Sequence, residues 1–437
     1  MHGRLVDGSR VCIIGGGPAG SFAALHLLQQ AALHRLRLQV LIFEPRDFTR
    51  TGPAGCNRCA GILSTRLIDG LEQLDIGLPA DLIQADVQSY AVHLQGETVR
   101  VDRPGPQHRI LSVYRGSGPQ LLQGAPPRSF DAWLLAEACS RGATVVPARV
   151  KQVLWEGQPV VHAGGERYAA DLLVLAIGVN SRSPLAPEFG YEPPPTEIMA
   201  QNEVLRPPTW PDDQVNVFFT QQTGVMFGAL IPKGGYLNVS LLGRDLQLDD
   251  VQAFLHAQQL SAAPDGSLPP GQGAVHGGLC GCTPRIAVRP APRCYGDRWV
   301  AVGDASVVRL YKDGIGSAFY TAQCAMRTAV EQGVTEESFA GSYAGFCRGI
   351  AADNRYGRAL FRLWALTLRT PDLLHAWIGA IRREAALPPP QRTHQRILWG
   401  MFTGEESYRT LLRLAAGPRA TAGVLRAWSQ GSRRGRS

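Results

Sequence analysis

The residues of this sequence whose types and spacing could do chemistry are a glycine run, Gly15-Gly16-Gly17-Pro18-Ala19-Gly20, and a pair of sulfurs three residues apart, Cys56 and Cys59. In a G-x-G-x-x-G spacing, Gly15 permits a tight turn. Gly17 lets backbone amides approach a pyrophosphate, and Gly20 lets the following helix close on the preceding strand. Pro18 and Ala19 complete the turn, and the helix N-terminus offers free N–H groups and a partial positive charge to phosphates. Glu44 is placed to accept hydrogen bonds from a ribose diol, although it lies 24 residues after Gly20, slightly beyond the usual ~20. The sulfurs leave three readings open. With Arg58 between them favouring thiolate, the pair could exchange electrons or place a thiol beside a substrate, with Cys59 the better placed. With Cys280, Cys282 and Cys294 they could hold zinc or an iron–sulfur cluster, but C-x-C is an unusual zinc spacing and no second C-x-x-C accompanies it. They could also be ordinary small residues of a loop, and no metal is expected.

These groups need elements to position them. Val11-Cys12-Ile13-Ile14 is an apolar run fit for a buried parallel strand, Ser21–Leu33 reads as a helix, and Leu38–Phe43 is a second strand ending at Glu44. Arg128-Ser129-Phe130-Asp131 opens a helical run over Ala132–Cys139, and Gly142–Val146 reads as a strand. Asp171–Arg182 is a buried strand entering a turn. Trp299–Val302 is another, ending in Gly303-Asp304 and followed by Gly314-Ile315-Gly316-Ser317 and a helix near Ala318–Gln332. Between these stretches Tyr90–Leu94 and Val99–Val101 alternate as a hairpin. Val215–Phe219, Val225–Ile231 and Leu237–Leu241 alternate as a half-buried antiparallel sheet.

Taken in order, the glycine run, Arg128-Ser129-Phe130-Asp131, the Leu172–Gly178 strand-turn and Gly303-Asp304 resemble the flavoprotein group that includes aromatic hydroxylases, flavin halogenases and geranylgeranyl reductases. The resemblance spans about residues 10–330. It implies FAD held by an α/β, Rossmann-like domain of the GR2 type, interleaved with an antiparallel-sheet substrate domain and followed by a helical C-terminal region. By that resemblance Gly303 and Asp304 lie near the flavin ribityl chain or the pyrophosphate, and Gly314, Ile315 and Gly316 open a helix aimed at the isoalloxazine carbonyl. Arg128 reaches FAD from its helix, and Val150 lies against the adenine through its backbone. The expected division is 8–85, 128–185 and 286–335 for the cofactor domain, 86–127 and 186–285 for the substrate domain, and 336–437 for the helical region.

Within that group, Cys56-Asn57-Arg58-Cys59-Ala60-Gly61 is similar to the Cys-Gly-Gly loop of the geranylgeranyl reductases, and Ile231–Val239 is similar to the same family. The Tyr-x-Trp-x-Phe-Pro stretch that lines the lipid tunnel of those reductases is matched by Phe227, Ala229 and Ile231 before Pro232. Large aromatics are thus reduced or lost. The Trp-x-Trp-x-Ile-Pro block of halogenases is absent, and the chain has only three lysines, Lys151, Lys233 and Lys312.

The 437 residues carry a net charge of +8, unevenly placed. Residues 340–437 hold 16 Arg, no Lys and five acids, a net of +11 that leaves −3 for residues 1–339. Arg355, Arg358, Arg362 and Arg369 share one face of a helix expected over Asn354–Arg369. A second helix is expected over Asp372–Ile381, and Gly417–Ser437 reads as a solvated basic tail. A cationic, partly apolar helix can lie on anionic lipid, whereas nothing recognisable as a nucleic-acid-binding fold accompanies the charge. His108, Arg109, Tyr114 and Arg115 fall in a Gly/Pro-rich excursion bordering a site or the surface. Nine cysteines and a polar N-terminus lead to the expectation of a cytoplasmic chain with reduced thiols, peripheral contact with the inner face of a membrane being the one qualification. The expected activity is an FAD-dependent oxidoreductase reducing C=C bonds of an apolar, isoprenoid-like substrate, with NAD(P)H, ferredoxin or flavodoxin as donor. The alternatives are an FAD-dependent monooxygenase of hydroxylase or halogenase type on a small aromatic ring, and a non-catalytic flavin-bearing adaptor for a membrane or partner.

Overall fold

A computed structural model describes residues 3–56, 60–122, 124–208, 210–219, 222, 224–257 and 280–434. The chain divides into two compact units. One comprises Met1–Ile83, Val113–Ile198 and Pro284–Ala351; the other comprises Gln84–Ser112, Met199–Thr283 and Ala352–Ser437. The sequence pattern puts these limits at 85, 127, 185, 285 and 335. By mutual contact, residues 113–127 and 186–198 group with the first unit, and the C-terminal helices from Ala352 onward group with the second.

The first unit is built on a six-stranded sheet in the order Tyr295–Gly296, Trp299–Ala301, Leu172–Leu175, Arg10–Ile14, Gln39–Phe43, Ala143–Val146. All its pairs are parallel except the first. Val11, Cys12 and Ile13 are fully buried, as are Leu172–Leu175 beside them, which is why both strands read as unbroken apolar runs. The chain leaves Arg10–Ile14 toward Gln39–Phe43 on one side and later returns to Leu172–Leu175 on the other. The strand order therefore reverses beside the first strand, and crevices for ligands open beyond the carboxyl ends of strands at such a point. Helix Pro18–Leu33 follows directly; it begins three residues before the expected Ser21 because Pro18 fits the first helical turn. It packs against helix Gly314–Glu331, with Phe22 meeting Phe319 edge-on at 5.1 Å. The unit also holds a three-stranded antiparallel sheet, Val150–Trp155, Pro159–Ala163 and Glu166–Ala169, and an antiparallel pair, Thr196–Ile198 with Arg285–Ala287.

The second unit holds a six-stranded sheet in the order Ala200–Leu205, Tyr236–Gly243, Val225–Lys233, Gln214–Phe219, Ser89–Leu94, Glu97–Asp102. It is antiparallel except where Gln214–Phe219 runs parallel to Ser89–Leu94. That exception departs from the purely antiparallel expectation. The hairpin 89–102 and the strands 200–243 are separate in sequence, so no short turn dictates their relative direction. One face carries Phe218, Leu230, Val239 and Leu241, packed with Val251, Phe254 and Leu255 of helix Leu248–Ala257. The other face meets the C-terminal helices: Tyr90 stacks on Phe402 and meets Trp399 edge-on, and Phe219 meets Trp364.

Two expectations in the C-terminal quarter are corrected. The arginine-bearing helix runs over Tyr343–Arg369 and so starts eleven residues before Asn354. Alternating small and apolar residues extend its buried face, and Tyr343, Cys347 and Asn354 are all buried. Residues 418–434 form a helix, not a solvated tail. Its small residues let it lie close to helix Pro371–Glu384, where a Cβ added at Gly379 would sit 3.3 Å from that of Ala427. Among the described residues no helix is long and apolar enough to cross a membrane.

Candidate functional site

The glycine turn has the geometry that its spacing demands. Gly15 has φ +105°, open to glycine and strained for other residues, and a Cβ there would fall 2.5 Å from the carbonyl oxygen of Ala176. At Gly20 the clearance is tighter still, since a Cβ would lie 1.8 Å from the Gly15 carbonyl oxygen. Gly17 occupies the N-cap of helix Pro18–Leu33 without a side-chain cap, and the first turn contains no acid. Unpaired amides and the positive end of the helix are thereby left to an anion. This cradle fits the diphosphate of a dinucleotide, because side chains that could fill it are excluded.

Glu44 is 3% exposed at the end of the second strand. Its Oε2 accepts the Gly16 N–H at 2.9 Å and an Arg46 guanidinium N–H at 3.2 Å, and its Oε1 accepts the Arg46 backbone N–H and Nε–H, each at 3.0 Å. About four lone-pair sites are available on a carboxylate, so a ribose diol would have to displace the Arg46 side chain. The carboxylate thus ties the glycine turn to the second strand, a role that the sequence does not disclose.

At the same edge of the sheet, Gly303 takes φ +63° in a short turn over Gly303–Ala305, and a Cβ there would lie 2.8 Å from the Cβ of Ala19. The Gly303 N–H donates to Thr321 Oγ1 at 2.8 Å, which fixes the turn to helix Gly314–Glu331. Gly314 opens that helix with its Cβ position 3.7 Å from Asp304 Oδ1. The Gly303-Asp304 turn thus lies between the starts of two helices. Burial pushes the Asp304 carboxyl up to about 6, against the pull of the Arg115 guanidinium. Ile315 and Gly316 continue the first turn of the helix, and Ile315 is buried.

Arg128 stands two residues before helix Phe130–Ser140, outside it, and pairs at 3.0 Å with Asp81 at an exposed site. Ser129 takes the N-cap and accepts the Ala132 N–H at 3.2 Å, so Arg128 precedes this helix and does not lie within it. The charge turned inward belongs to Arg115: its Nη2–H donates to Asp131 Oδ2 at 2.9 Å and its Nε–H to the other oxygen, with Asp131 fully buried. The sequence placed Arg115 only in a Gly/Pro-rich excursion; the paired Asp131 in a helical first turn was the signal that could have found it. Val150 is the half-buried first residue of its strand, bonded in a sheet with Pro159–Ala163.

Cys56 is half-buried in the first unit, and Cys59 lies outside the described residues. In the second unit Cys282 pairs through its backbone with Gln201, and the Cys280 N–H donates to Asn202 Oδ1 at 3.2 Å. Cys294 is buried in the first unit, where Ser306 Oγ lies 3.6 Å from Cys347 Sγ and 2.8 Å from the Tyr343 hydroxyl. Among the described residues no group of three or more His, Cys, Asp or Glu is placed to hold a metal ion. Burial raises the Cys12, Cys139 and Cys324 thiols, as befits inert packing residues.

Phe227, Ala229 and Ile231 are buried on one face of the second unit's sheet. Strand register puts Ala229 opposite Ser240 and Ile231 opposite Asn238, with Gln201 and Glu203 next across. The row is hydrogen-bonded: Gln201 Nε2–H donates to Ser240 Oγ at 3.0 Å, and Ser240 donates to Asn238 Oδ1 at 2.8 Å. Lys233 Nζ stands 3.5 Å from Glu203 Oε1, both buried. An apolar row thus lies beside a buried polar row. Of the excursion residues, His108 Nδ1 contacts Glu405 Oε2 at 3.1 Å in this unit, and Arg109 faces Asp86 at 3.7 Å.

A profile for FAD/NAD(P)-binding proteins matches residues 12–64. A protein of Marinomonas mediterranea named as an FAD-dependent oxidoreductase, LodB, is 31% identical over 190 residues, covering 41% of this chain and 45% of that relative. The chain thus matches less than half the length of that relative. Three solved structures share the fold. A geranylgeranyl bacteriochlorophyll reductase-like protein from Thermoplasma acidophilum aligns with a TM-score of 0.62 at 16% identity over 97% of this chain and 99% of that one. The peptidyl tryptophan dihydroxylase QhpG aligns with a TM-score of 0.52 at 22% identity over 79% of this chain and 73% of that one. The flavin-dependent brominase Bmp2 aligns with a TM-score of 0.59 at 18% identity over 93% of this chain and 98% of that one. The chain has the fold of FAD-binding flavoproteins, with its FAD/NAD(P)-binding segment at the glycine turn.

Proposed function

We propose that the chain is an FAD-dependent oxidoreductase that hydroxylates an aromatic ring carried on a molecule with hydrogen-bonding groups. When bound and reduced, the flavin supplies either a hydride or, with dioxygen, an oxygen atom. The chain's own residues do the positioning. The amides at the start of helix Pro18–Leu33 bind the diphosphate. Asp304, on its turn beside Gly314, fixes the chain that joins diphosphate to ring. Phe227, Ala229 and Ile231 offer an apolar surface on which an aromatic ring can lie.

The observation that carries this reading is the polar row beside that surface. Gln201, Glu203, Asn238 and Ser240 are buried and bonded along the row, and their further acceptor and donor capacity suits a substrate with N–H and C=O groups, which a plain hydrocarbon chain lacks. QhpG, by its name, acts on peptidyl tryptophan; an indole on a peptide combines an aromatic plane with N–H and C=O groups, and it is our first choice of substrate class. The test is turnover of the FAD-loaded protein with tryptophan-containing peptides under air and under argon. Oxygen-dependent mass gains of 16 support the reading, and anaerobic saturation of an alkene with no hydroxylation overturns it.

The second reading is C=C reduction of an apolar substrate. The fit of the reductase-like fold over almost the whole chain and the Cys56 loop favour it. The donor in either case is proposed as a reduced nicotinamide or a small electron-transfer protein.

For partners we propose peripheral contact with anionic lipid. Tyr356, Leu363 and Leu366 are exposed on helix Tyr343–Arg369 among Arg355, Arg362 and Arg369, a pattern in which apolar side chains insert while guanidinium groups meet phosphates.

A further inference from the structure

Asp313 opens a helix from an uncommon backbone conformation. It sits in the left-handed region, φ 55° and ψ 45°, immediately before helix Gly314–Glu331, where residues other than glycine are uncommon. Its carbonyl accepts the Ser317 N–H at 2.8 Å, the first bond of the helix. Its carboxylate folds back over Gly316, where a Cβ would lie 2.3 Å from Oδ1. Gly316 is therefore needed for room, and the carboxylate covers the end of a helix whose first turn contains no other acid. Ser64 Oγ–H donates to Oδ1 at 3.2 Å.

A helix N-terminus carries the equivalent of roughly +0.5 charge, and an ionised carboxylate there more than cancels it. The other charged or titratable groups around Asp313 are Arg66, Arg309, its neighbour Lys312, Tyr320, and Asp304 on the far side of Gly314. Arg66 lies with its guanidinium 4.7 Å over the Tyr320 ring. The arginines favour the ionised carboxylate and burial favours the neutral one, so a modest change of nearby charge decides between them.

We propose that Asp313 is a redox-linked proton site, ionised beside the oxidised flavin and protonated when the flavin becomes a reduced anion. The inference rests on the FAD reading above and on the placement of this helix start with the Gly303-Asp304 turn. Two electrons from a reduced nicotinamide donor and one proton convert the flavin to its reduced anion, and a second proton from solvent adds to a carboxylate oxygen of Asp313. The donor's C–H bond breaks as its hydride leaves, the donor is left oxidised, and no further bond changes. By reciprocity, protonated Asp313 favours flavin reduction as strongly as reduction favours protonation. The open positive end of the helix is thereby restored when negative charge develops. Asp313 is a positioning group for charge and is not assigned contact with substrate.

The test is potentiometry of the FAD-loaded full chain, titrated with dithionite from pH 6.5 to 8. Each proton taken up moves a two-electron couple by about 30 mV per pH unit. The wild type should follow a slope of about 60 mV per pH unit, and Asp313→Asn about 30 mV, with the variant's midpoint above that of wild type at pH 8. Asparagine tolerates the left-handed backbone, so the variant should keep its fold, to be verified by its flavin content. In infrared difference spectra, a carboxylic-acid carbonyl band should appear on reduction of the wild type but not of Asp313→Asn. Equal slopes, or a band surviving in Asp313→Asn, overturns the inference even though FAD is bound. A chain that takes up no FAD overturns the reading on which it rests.

Discussion

Glu44, Arg115 and Asp304 show how contacts within the chain hold the glycine turn and the residues around it. Glu44 accepts the Gly16 N–H and clamps Arg46, so Glu44→Ala should loosen the glycine turn as well as any ribose contact. We expect FAD affinity to fall roughly tenfold or more, equivalent to losing one charge-assisted hydrogen bond, as read by flavin fluorescence titration; unchanged affinity would exclude both roles. Arg115 neutralises Asp131 in a dry site, and removing one partner of such a pair leaves a buried charge at a cost of roughly 3–5 kcal/mol. Arg115→Ala should therefore lower the denaturant midpoint sharply, and Arg128→Ala, at an exposed pair, should leave it nearly unchanged. Asp304 and Asp313 both titrate near 6 in the fold, above the ordinary carboxyl value of 3.8. A carboxyl raised by folding adds stability that is fully present below its unfolded value and is lost as pH rises through about 6. The cofactor-free Asp304→Asn variant should thus lose less stability than wild type between pH 4 and 7; parallel melting curves would contradict the buried environment.

At the scale of elements, two helix starts and one exposed helix face are decisive. Gly20 lies so close to the Gly15 carbonyl that Gly20→Ala must push helix Pro18–Leu33 off its strand. Overpacking of this kind typically costs about 1–3 kcal/mol, and thermal melting together with lost flavin binding should report it. On helix Tyr343–Arg369, Leu363 and Leu366 are 41% and 57% exposed, so replacing both with Glu should spare the fold. If this face meets anionic lipid, the double variant should no longer sediment with phosphatidylglycerol vesicles, and equal sedimentation of variant and wild type would retire the proposal. Deleting residues 418–434 is the poorer experiment, since that helix packs on Pro371–Glu384 and its loss would expose core.

For the whole molecule, the division of labour follows from two kinds of sequence pattern. Continuous apolar runs at 11–14 and 172–175 could only be strands buried on both faces. Together with the glycine turn they specified a parallel sheet and the position of its ligand crevice. Period-two alternation over 215–241 specified a sheet with two unlike faces. What local pattern could not supply was anything set by partners distant in sequence. The parallel pairing of Gln214–Phe219 with Ser89–Leu94, the inward turn of Arg115 onto Asp131, and the packed helix at 418–434 all depend on residues outside the local pattern. The polar row of Gln201, Glu203, Asn238 and Ser240 was hidden for the same reason: each residue looks like an ordinary strand position until register sets the four side by side. Sequence alone thus determined a first turn shaped to take a diphosphate, because strand, turn and helix there are contiguous and glycine is sterically required. Tertiary structure alone decided which charges face inward and which polar groups share a surface with Phe227, Ala229 and Ile231, because burial and cross-strand register are properties of the folded chain.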